Sequence, residues 1–234
     1  MRYVFLHAHP DDETLSTGAI IACLVAQGHE CQVVTATRGE RGEWLPGSLS
    51  DGVDLVATRE GERARALDSL GALDGGWLGS GLARAGGRPD RMYRDSGMRW
   101  VTPTLAGPSP DAGADSLCLA DLAEVVEDVA ACVRGLAGDV LVSYGPDGGY
   151  GHPDHIRCHE AARLAASACA VPFAQIVTDP AAADQWLDAA DRLRALTAAH
   201  EAYRTQFRVQ DHGVVHVGGQ WVPMVTAAGL AVRS

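Results

Sequence analysis

The sequence predicts an α/β fold built on a mostly parallel sheet with helices on both faces, and three observations carry that prediction. Short apolar or β-branched runs recur at 2–7, 31–37, 139–143 and 173–178. Between them lie stretches of helical periodicity long enough to cross over from one parallel strand to the next. The 234 residues, 47% hydrophobic and 21% charged, suit one globular domain with a sizeable core and exclude disordered, collagenous and disulfide-dense classes.

Arg2 to His7 reads as a buried strand, and a turn through His9 to Glu13 leads into a largely apolar helix from Thr14 to Gln27 that stops at Gly28. Cys31 to Thr37 is the second strand, followed by the polar, glycine-interrupted loop from Arg38 to Glu43. From Val56 the positions Val56, Glu60, Ala64 and Leu67 share one helical face, which predicts that Glu60 lies on the more buried side. Residues 80–116 are rich in Gly, Pro, Arg and Asp without sustained periodicity, so they read as a functional excursion. Leu119 to Val133 forms an amphipathic helix, and Asp139 to Ser143 a strand. A glycine-rich turn, 145–152, precedes a helix with Pro153 at its first position, and Phe173 to Thr178 is the fourth strand. A further helix is expected over about Asp184 to Tyr203. Val214 to Val222 contains a hairpin turning at Gly218-Gly219.

We therefore read residues 1–234 as a single Rossmann-like domain, with 80–116 as its long loop and 207–234 as a small C-terminal β appendage. In such a sheet, ligands bind outside the carboxyl ends of the strands.

Charge and composition narrow the partners. A net charge of −11, with Arg as the only strong cation, repels phosphate backbones, so nucleic acid is not an expected partner. The six cysteines show no CxxC and no framework spacing, which favours reduced thiols and a cytoplasmic location. No run reaches the roughly 20 apolar residues of a membrane span, so no membrane partner is expected either.

Two polar clusters carry the chemistry. His7-Ala8-His9-Pro10-Asp11-Asp12-Glu13 packs two imidazoles and three carboxylates directly after a strand, and Tyr150-Gly151-His152-Pro153-Asp154-His155 follows another strand. A catalytic zinc site needs three His or carboxylate ligands and one open position, and two such clusters on neighbouring strand ends supply them. The His9 to Asp12 step lets both side chains converge on one cation, with His155 reaching it from the second cluster and Asp11 free to point elsewhere. Either motif alone would also serve as a helix cap, but a cap does not call for histidines at 9, 152 and 155 together. His7 reads as packed in the sheet and His159 as a supporting or core residue, while Glu13 suits either a helix start or a supporting role. Two histidines and a carboxylate are equally the facial triad of non-haem Fe(II) oxygenases. A non-catalytic nucleotide-binding module is disfavoured by the absence of GxGxxG in the first strand–helix turn.

His9-Pro10-Asp11-Asp12-Glu13 paired with a distant His152-Pro153-Asp154-His155 resembles the LmbE-like, or PIG-L, zinc-dependent N-deacetylases. Gly39-Glu40 with Gly42-Glu43, Arg59-Glu60 before Leu70-Gly71, Tyr93 to Met98, and Gly148-Gly149-Tyr150 extend the likeness to the mycothiol-pathway branch, over residues 3 to about 210. The resemblance implies that His9, Asp12 and His155 hold the metal, zinc by first choice and Fe(II) or another divalent ion otherwise. It implies Asp11 as general base and His152 as the group that stabilises or protonates. Asp154 would fix the tautomer of His152, and Tyr150 would add a hydrogen bond. Arg59 and Asp95 become candidate substrate contacts, although a helix-surface arginine commonly pairs with a carboxylate, here Glu62, and a loop aspartate is commonly a turn residue. The expected substrate is an N-acetylated amino sugar of the glucosaminyl-inositol type. The alternative is a bulkier thiol conjugate or antibiotic intermediate.

Overall fold

The computed structural model describes residues 1–102 and 105–233. In chain order the elements are β1 (Arg2–His7), α1 (Asp12–Ala26), β2 (Glu30–Thr35), α2 (Leu55–Leu70), β3 (Leu73–Trp77), β4 (Met98–Thr102), β5 (Leu105–Pro108), α3 (Leu122–Gly135), β6 (Val140–Ser143), the single turn α4 (Gly148–Gly151) and α5 (Pro153–Cys169). The C-terminal elements are β7 (Phe173–Val177), β8 (Gln185–Asp188), α6 (Leu193–Ala202), β9 (Phe207–Gln210), β10 (Gly213–His216), β11 (Trp221–Pro223) and β12 (Ala227–Arg233).

Seven strands form the central sheet in the order β3-β2-β1-β6-β7-β12-β8. Its first five strands are parallel, and β12 runs antiparallel to both β7 and β8. The strand order reverses between β1 and β6, which is the switch point where a doubly wound sheet opens a crevice at its carboxyl edge. Both polar clusters follow those two strands. One core layer joins α1, α2 and α6 to the sheet through Ile20, Leu24, Leu67 and Leu196, and the other joins α3 and α5 through Val129, Val133, Ala162 and Ala165. The described residues contain no helix long and apolar enough to cross a membrane.

Several expectations need correction. Glu60 is not on the buried side of α2, because that face carries Arg59, Glu62, Arg63, Ala66, Leu67 and Leu70. Apolar periodicity missed it because three buried positions are charged and hydrogen-bonded to partners elsewhere in the chain. Arg63, for example, donates to Thr35 Oγ1, Asp74 and the Val33 carbonyl. The helix expected over 184–203 divides into strand β8 and the shorter α6, since residues 185–188 complete the sheet edge beside β12. Leu73-Asp-Gly-Gly-Trp77 was unreadable as a strand because of its glycines, yet it pairs with β2 through a register shift. The excursion 80–116 carries the hairpin β4–β5 and the bridge between Arg94 and Ser116. Residues 207–223 do form a separate three-stranded sheet with the expected turn, Gly219 N–H to the His216 carbonyl. The rest of the expected appendage does not stay apart, for β12 enters the central sheet between β7 and β8.

Candidate active site

The first cluster is shaped by the abrupt passage from β1 into α1. Asp11 occupies the position before the helix with φ 113°, a left-handed conformation that costs a non-glycine residue on the order of 1–3 kcal/mol. Its side chain makes no cap, while its N–H donates to Glu13 Oε2 at 3.2 Å. Burial, with Asp12 and Glu13 close by, pushes the Asp11 carboxyl well above the ordinary carboxylate range. Burial pushes Asp12 the same way, but His155 and His9 override it and hold Asp12 well below that range.

The second cluster opens α5. His152 is the helix cap, its Nδ1 accepting from the Asp154 N–H at 3.2 Å, with Pro153 at the first helical position. That bond leaves Nε2 as the protonated nitrogen of a neutral ring. Burial, then His9 and His155, lower the His152 pKa to about 3, so the resting ring is neutral rather than the imidazolium that a protonating role would call for. His155 Nδ1 lies 3.1 Å from the Gly148 carbonyl and donates to it, which turns Nε2 into a bare lone pair.

The two clusters meet at Asp12. Its Oδ2 lies 3.2 Å from His9 Nδ1, and its Oδ1 lies 3.3 Å from His155 Nε2. Two ligands at about 2.0–2.2 Å from a tetrahedral zinc sit about 3.3–3.6 Å apart, which the Asp12 Oδ1–His155 Nε2 pair fits, while His9 Nδ1 faces the other carboxylate oxygen. His155 Nε2 is moreover buried without a hydrogen-bond partner, which an imidazole tolerates poorly unless a Lewis acid takes the lone pair. His9, His152 and His155 also bring ring nitrogens within 4.8 Å of one another, as do His9, Asp95 and Asp154 with theirs and their carboxylate oxygens. The donors of this centre therefore fit a divalent ion.

Asp154 differs from expectation. Its carboxylate accepts from the Ser96 N–H and hydroxyl and stands 3.2 Å from His9 Nε2, so it orients His9 and leaves His152 to its backbone N–H. Burial alone would lower the His9 pKa, but Asp95, Asp12 and Asp154 around the ring raise it well above its ordinary value. Asp95 is buried beside this ring, Oδ1 3.6 Å from His9 Nε2, and accepts from the Gly97 N–H. Tyr150 stands at the mouth, 42% exposed, its ring edge-on to His152 and His155. Arg59 is only 2% exposed and does not pair with Glu62; its guanidinium donates to the Gly39 and Glu43 carbonyls and ties down the loop after β2. A Cβ on Gly42 would fall 2.5 Å from that guanidinium, so a side chain there would push Arg59 off the carbonyls it holds. His7 is packed in the sheet as expected, and His159 turns its Nδ1 to the Tyr144 carbonyl, away from the cation ligands. Glu13 is buried under Tyr203.

Sequence reasoning passed over Ser96 and Tyr144. Ser96 lies inside the Tyr93 to Met98 motif, while the only signal for Tyr144 was a hydroxyl-bearing aromatic one residue past a strand that ends at the switch point.

Residues 4–166 match the family described as PIG-L, GlcNAc-PI de-N-acetylase. The chain belongs to this family. Among curated PIG-L relatives, the 1D-myo-inositol 2-acetamido-2-deoxy-alpha-D-glucopyranoside deacetylase of Kineococcus radiotolerans is 45% identical over 163 residues, covering 68% of this chain and 43% of that one. A similarly named protein of Saccharopolyspora erythraea is 42% identical over 171 residues, covering 71% of this chain and 54% of its own. The chain thus spans about half the length of the curated relatives it matches. Among solved structures, the zinc-inhibited form of a teicoplanin deacetylase shares the fold with TM-score 0.57 and 22% identity, over 87% of this chain and 84% of that one.

Proposed function

We propose that this PIG-L protein is a divalent-metal-dependent N-deacetylase of N-acetylated amino sugars, with a glucosaminyl-inositol glycoside as the preferred substrate class. One observation carries the reading: the unpartnered His155 Nε2 faces Asp12 Oδ1 at 3.3 Å, with the Asp11 carboxyl, raised above its ordinary pKa by burial, on the same turn. The names of the curated relatives supply the substrate class.

His9, Asp12 and His155 would hold the ion, zinc first. Once bound, it would polarise the amide carbonyl and acidify the attacking water. The remaining steps belong to the chain. Asp11 in its ionised form would accept the proton released as water attacks, a role that a carboxyl raised above its ordinary pKa suits. It then delivers that proton to the departing amine. His152, with Nδ1 occupied by the Asp154 N–H, offers Nε2–H to the oxygen that gains charge, which is the geometry of an oxyanion donor. Asp154 and Asp95 keep His9 in register, and Tyr150 at the mouth is free to donate to the sugar or the acyl oxygen. Asp95 contacts the substrate only at the edge left beside His9, and Arg59 acts through the loop it holds.

A second reading, a bulkier or more apolar N-acyl substrate, is favoured by one feature. Trp100 and Val101 of β4 are 55% and 57% exposed, and the Trp100 ring lies 6.0 Å from that of Tyr150, forming an apolar lip at the mouth.

The test is mass spectrometry of acetate and free amine released by zinc-loaded protein from N-acetylglucosaminyl-inositol, N-acetylglucosamine and an N-acyl glycoside with an apolar aglycone. Release from the first exceeding the other two supports the inositol class. Preference for the third moves the assignment to the second reading, and no release from any removes the deacetylase.

A further inference from the structure

We propose that Tyr144 is the positioning residue that couples the two halves of the centre: its hydroxyl holds the Asp12 carboxylate in orientation between His9 and His155, and its ring fixes the plane of His155. The inference rests on His9, Asp12 and His155 being the ligand set.

Tyr144 follows β6 directly and is buried. Its ring lies parallel to His155, with centroids 4.1 Å apart and planes 8° from each other. The His155 edge is already tied to the Gly148 carbonyl, so one contact on the edge and one on the face leave Nε2 a single direction.

The hydroxyl is more specific. It lies 2.7 Å from Asp12 Oδ2, 2.9 Å from the Ala8 nitrogen and 3.3 Å from His7 Nδ1. A backbone N–H only donates and a carboxylate only accepts, so the single phenolic proton points at Asp12. His7 flanks the phenol, its Nδ1 facing the hydroxyl edge-on to the Tyr144 ring and its Nε2 2.9 Å from the Thr17 hydroxyl, whose own proton goes to the Glu13 carbonyl. The link to the carboxylate itself has one direction, Tyr144 to Asp12. Asp12 Oδ2 also accepts from the His9 N–H at 2.8 Å and faces His9 Nδ1 at 3.2 Å, so the phenol fixes the carboxylate with Oδ2 on the His9 side and Oδ1 turned toward His155 Nε2. A purely structural residue would need the ring and not the hydroxyl, since phenylalanine stacks as well as tyrosine.

Tyr144→Phe separates the two roles. With Co²⁺ as the probe and a chromophoric chelator as competitor, we expect affinity to fall by about 10- to 100-fold, the usual effect of losing a residue that supports a ligand. The visible Co²⁺ bands should weaken as a freed Asp12 engages through both oxygens and coordination number rises. Thr17→Val, which removes the hydrogen-bond partner of the His7 ring packed against Tyr144 without touching a ligand, should shift both readouts less and in the same direction; it also serves if the phenylalanine variant does not fold. Wild-type affinity and spectrum in both variants, with Asp12→Ala still impaired, would overturn the Tyr144 role alone. Affinity unchanged by Asp12→Ala would remove the ligand set, and the coupling with it.

Discussion

The chain up to the end of α5 and the chain after it do different work. Residues 4–166, which match the PIG-L family, supply four parallel strands and every candidate catalytic, metal-binding or substrate residue. The C-terminal part supplies β7, the antiparallel strands β12 and β8, and the small sheet, and among its described residues there is no candidate ligand. Yet this later part reaches the first cluster from behind. The Tyr203 hydroxyl donates to Glu13 Oε1 at 2.6 Å, Gln206 Nε2 donates to the Pro10 carbonyl at 2.8 Å, and the Thr205 hydroxyl donates to the buried Glu62 at 2.6 Å. The contrast teaches that the chemistry is concentrated at one switch point, while the rigidity of the turn that carries it is drawn from sequence 190 residues away.

If that division is right, the steepest losses come from the earlier part. Ala at His9, Asp12 or His155, one at a time, should strip the bound ion and lower turnover by about 10³-fold or more, since the ion supplies several kcal/mol of charge stabilisation. Metal stoichiometry by elemental analysis checks this, and full occupancy in all three variants would break the assignment. Asp11→Asn should keep the ion and lose about 10²- to 10⁴-fold in turnover, measured as acetate release. A loaded and active Asp11→Asn would move the base elsewhere. His152→Ala should also stay loaded and lose about 10²- to 10³-fold in kcat. Collapse of its metal content would instead promote His152 to a ligand, as its closeness to His9 and His155 permits. The gentlest change sharpens the comparison from the other side. Tyr203→Phe leaves the buried Glu13 carboxylate short of a donor and should lower stability by about 1–3 kcal/mol in urea unfolding, with metal stoichiometry intact. Loss of the ion on that change would make the later part a direct contributor to the site.

Much of this was legible in the sequence, for identifiable reasons. β1, β2, β6 and β7 are central in the sheet and largely buried, and so spell continuous apolar runs, and the histidines and carboxylates stand immediately beyond two of them. That placement, combined with the family resemblance, sufficed to put His9, Asp12, His152 and His155 in one neighbourhood. What stayed illegible depends on partners distant in sequence. Asp154 turned to His9 and Ser96 because Ser96 arrives from the long loop 58 residues earlier. Arg59 read as a surface residue because nothing local announces that backbone carbonyls of another loop will surround it. β8 was lost inside an expected helix because four residues facing one neighbouring strand carry almost no periodic signal.

The position of β12 sets a timetable. Residues 227–233 pair with β7 on one side and β8 on the other, and both of those strands leave the ribosome earlier, so β8 can join the sheet only once β12 is present. The five parallel strands are available once residue 177 has emerged, whereas β8 has no sheet neighbour until the antiparallel strand arrives. During that interval Leu187 waits uncovered for Ala228, its register partner, and exposed apolar strand surface of this kind is what chaperones bind and what aggregates grow from. In this protein that exposed surface lies at one margin of the sheet, away from the strands whose ends carry the two polar clusters.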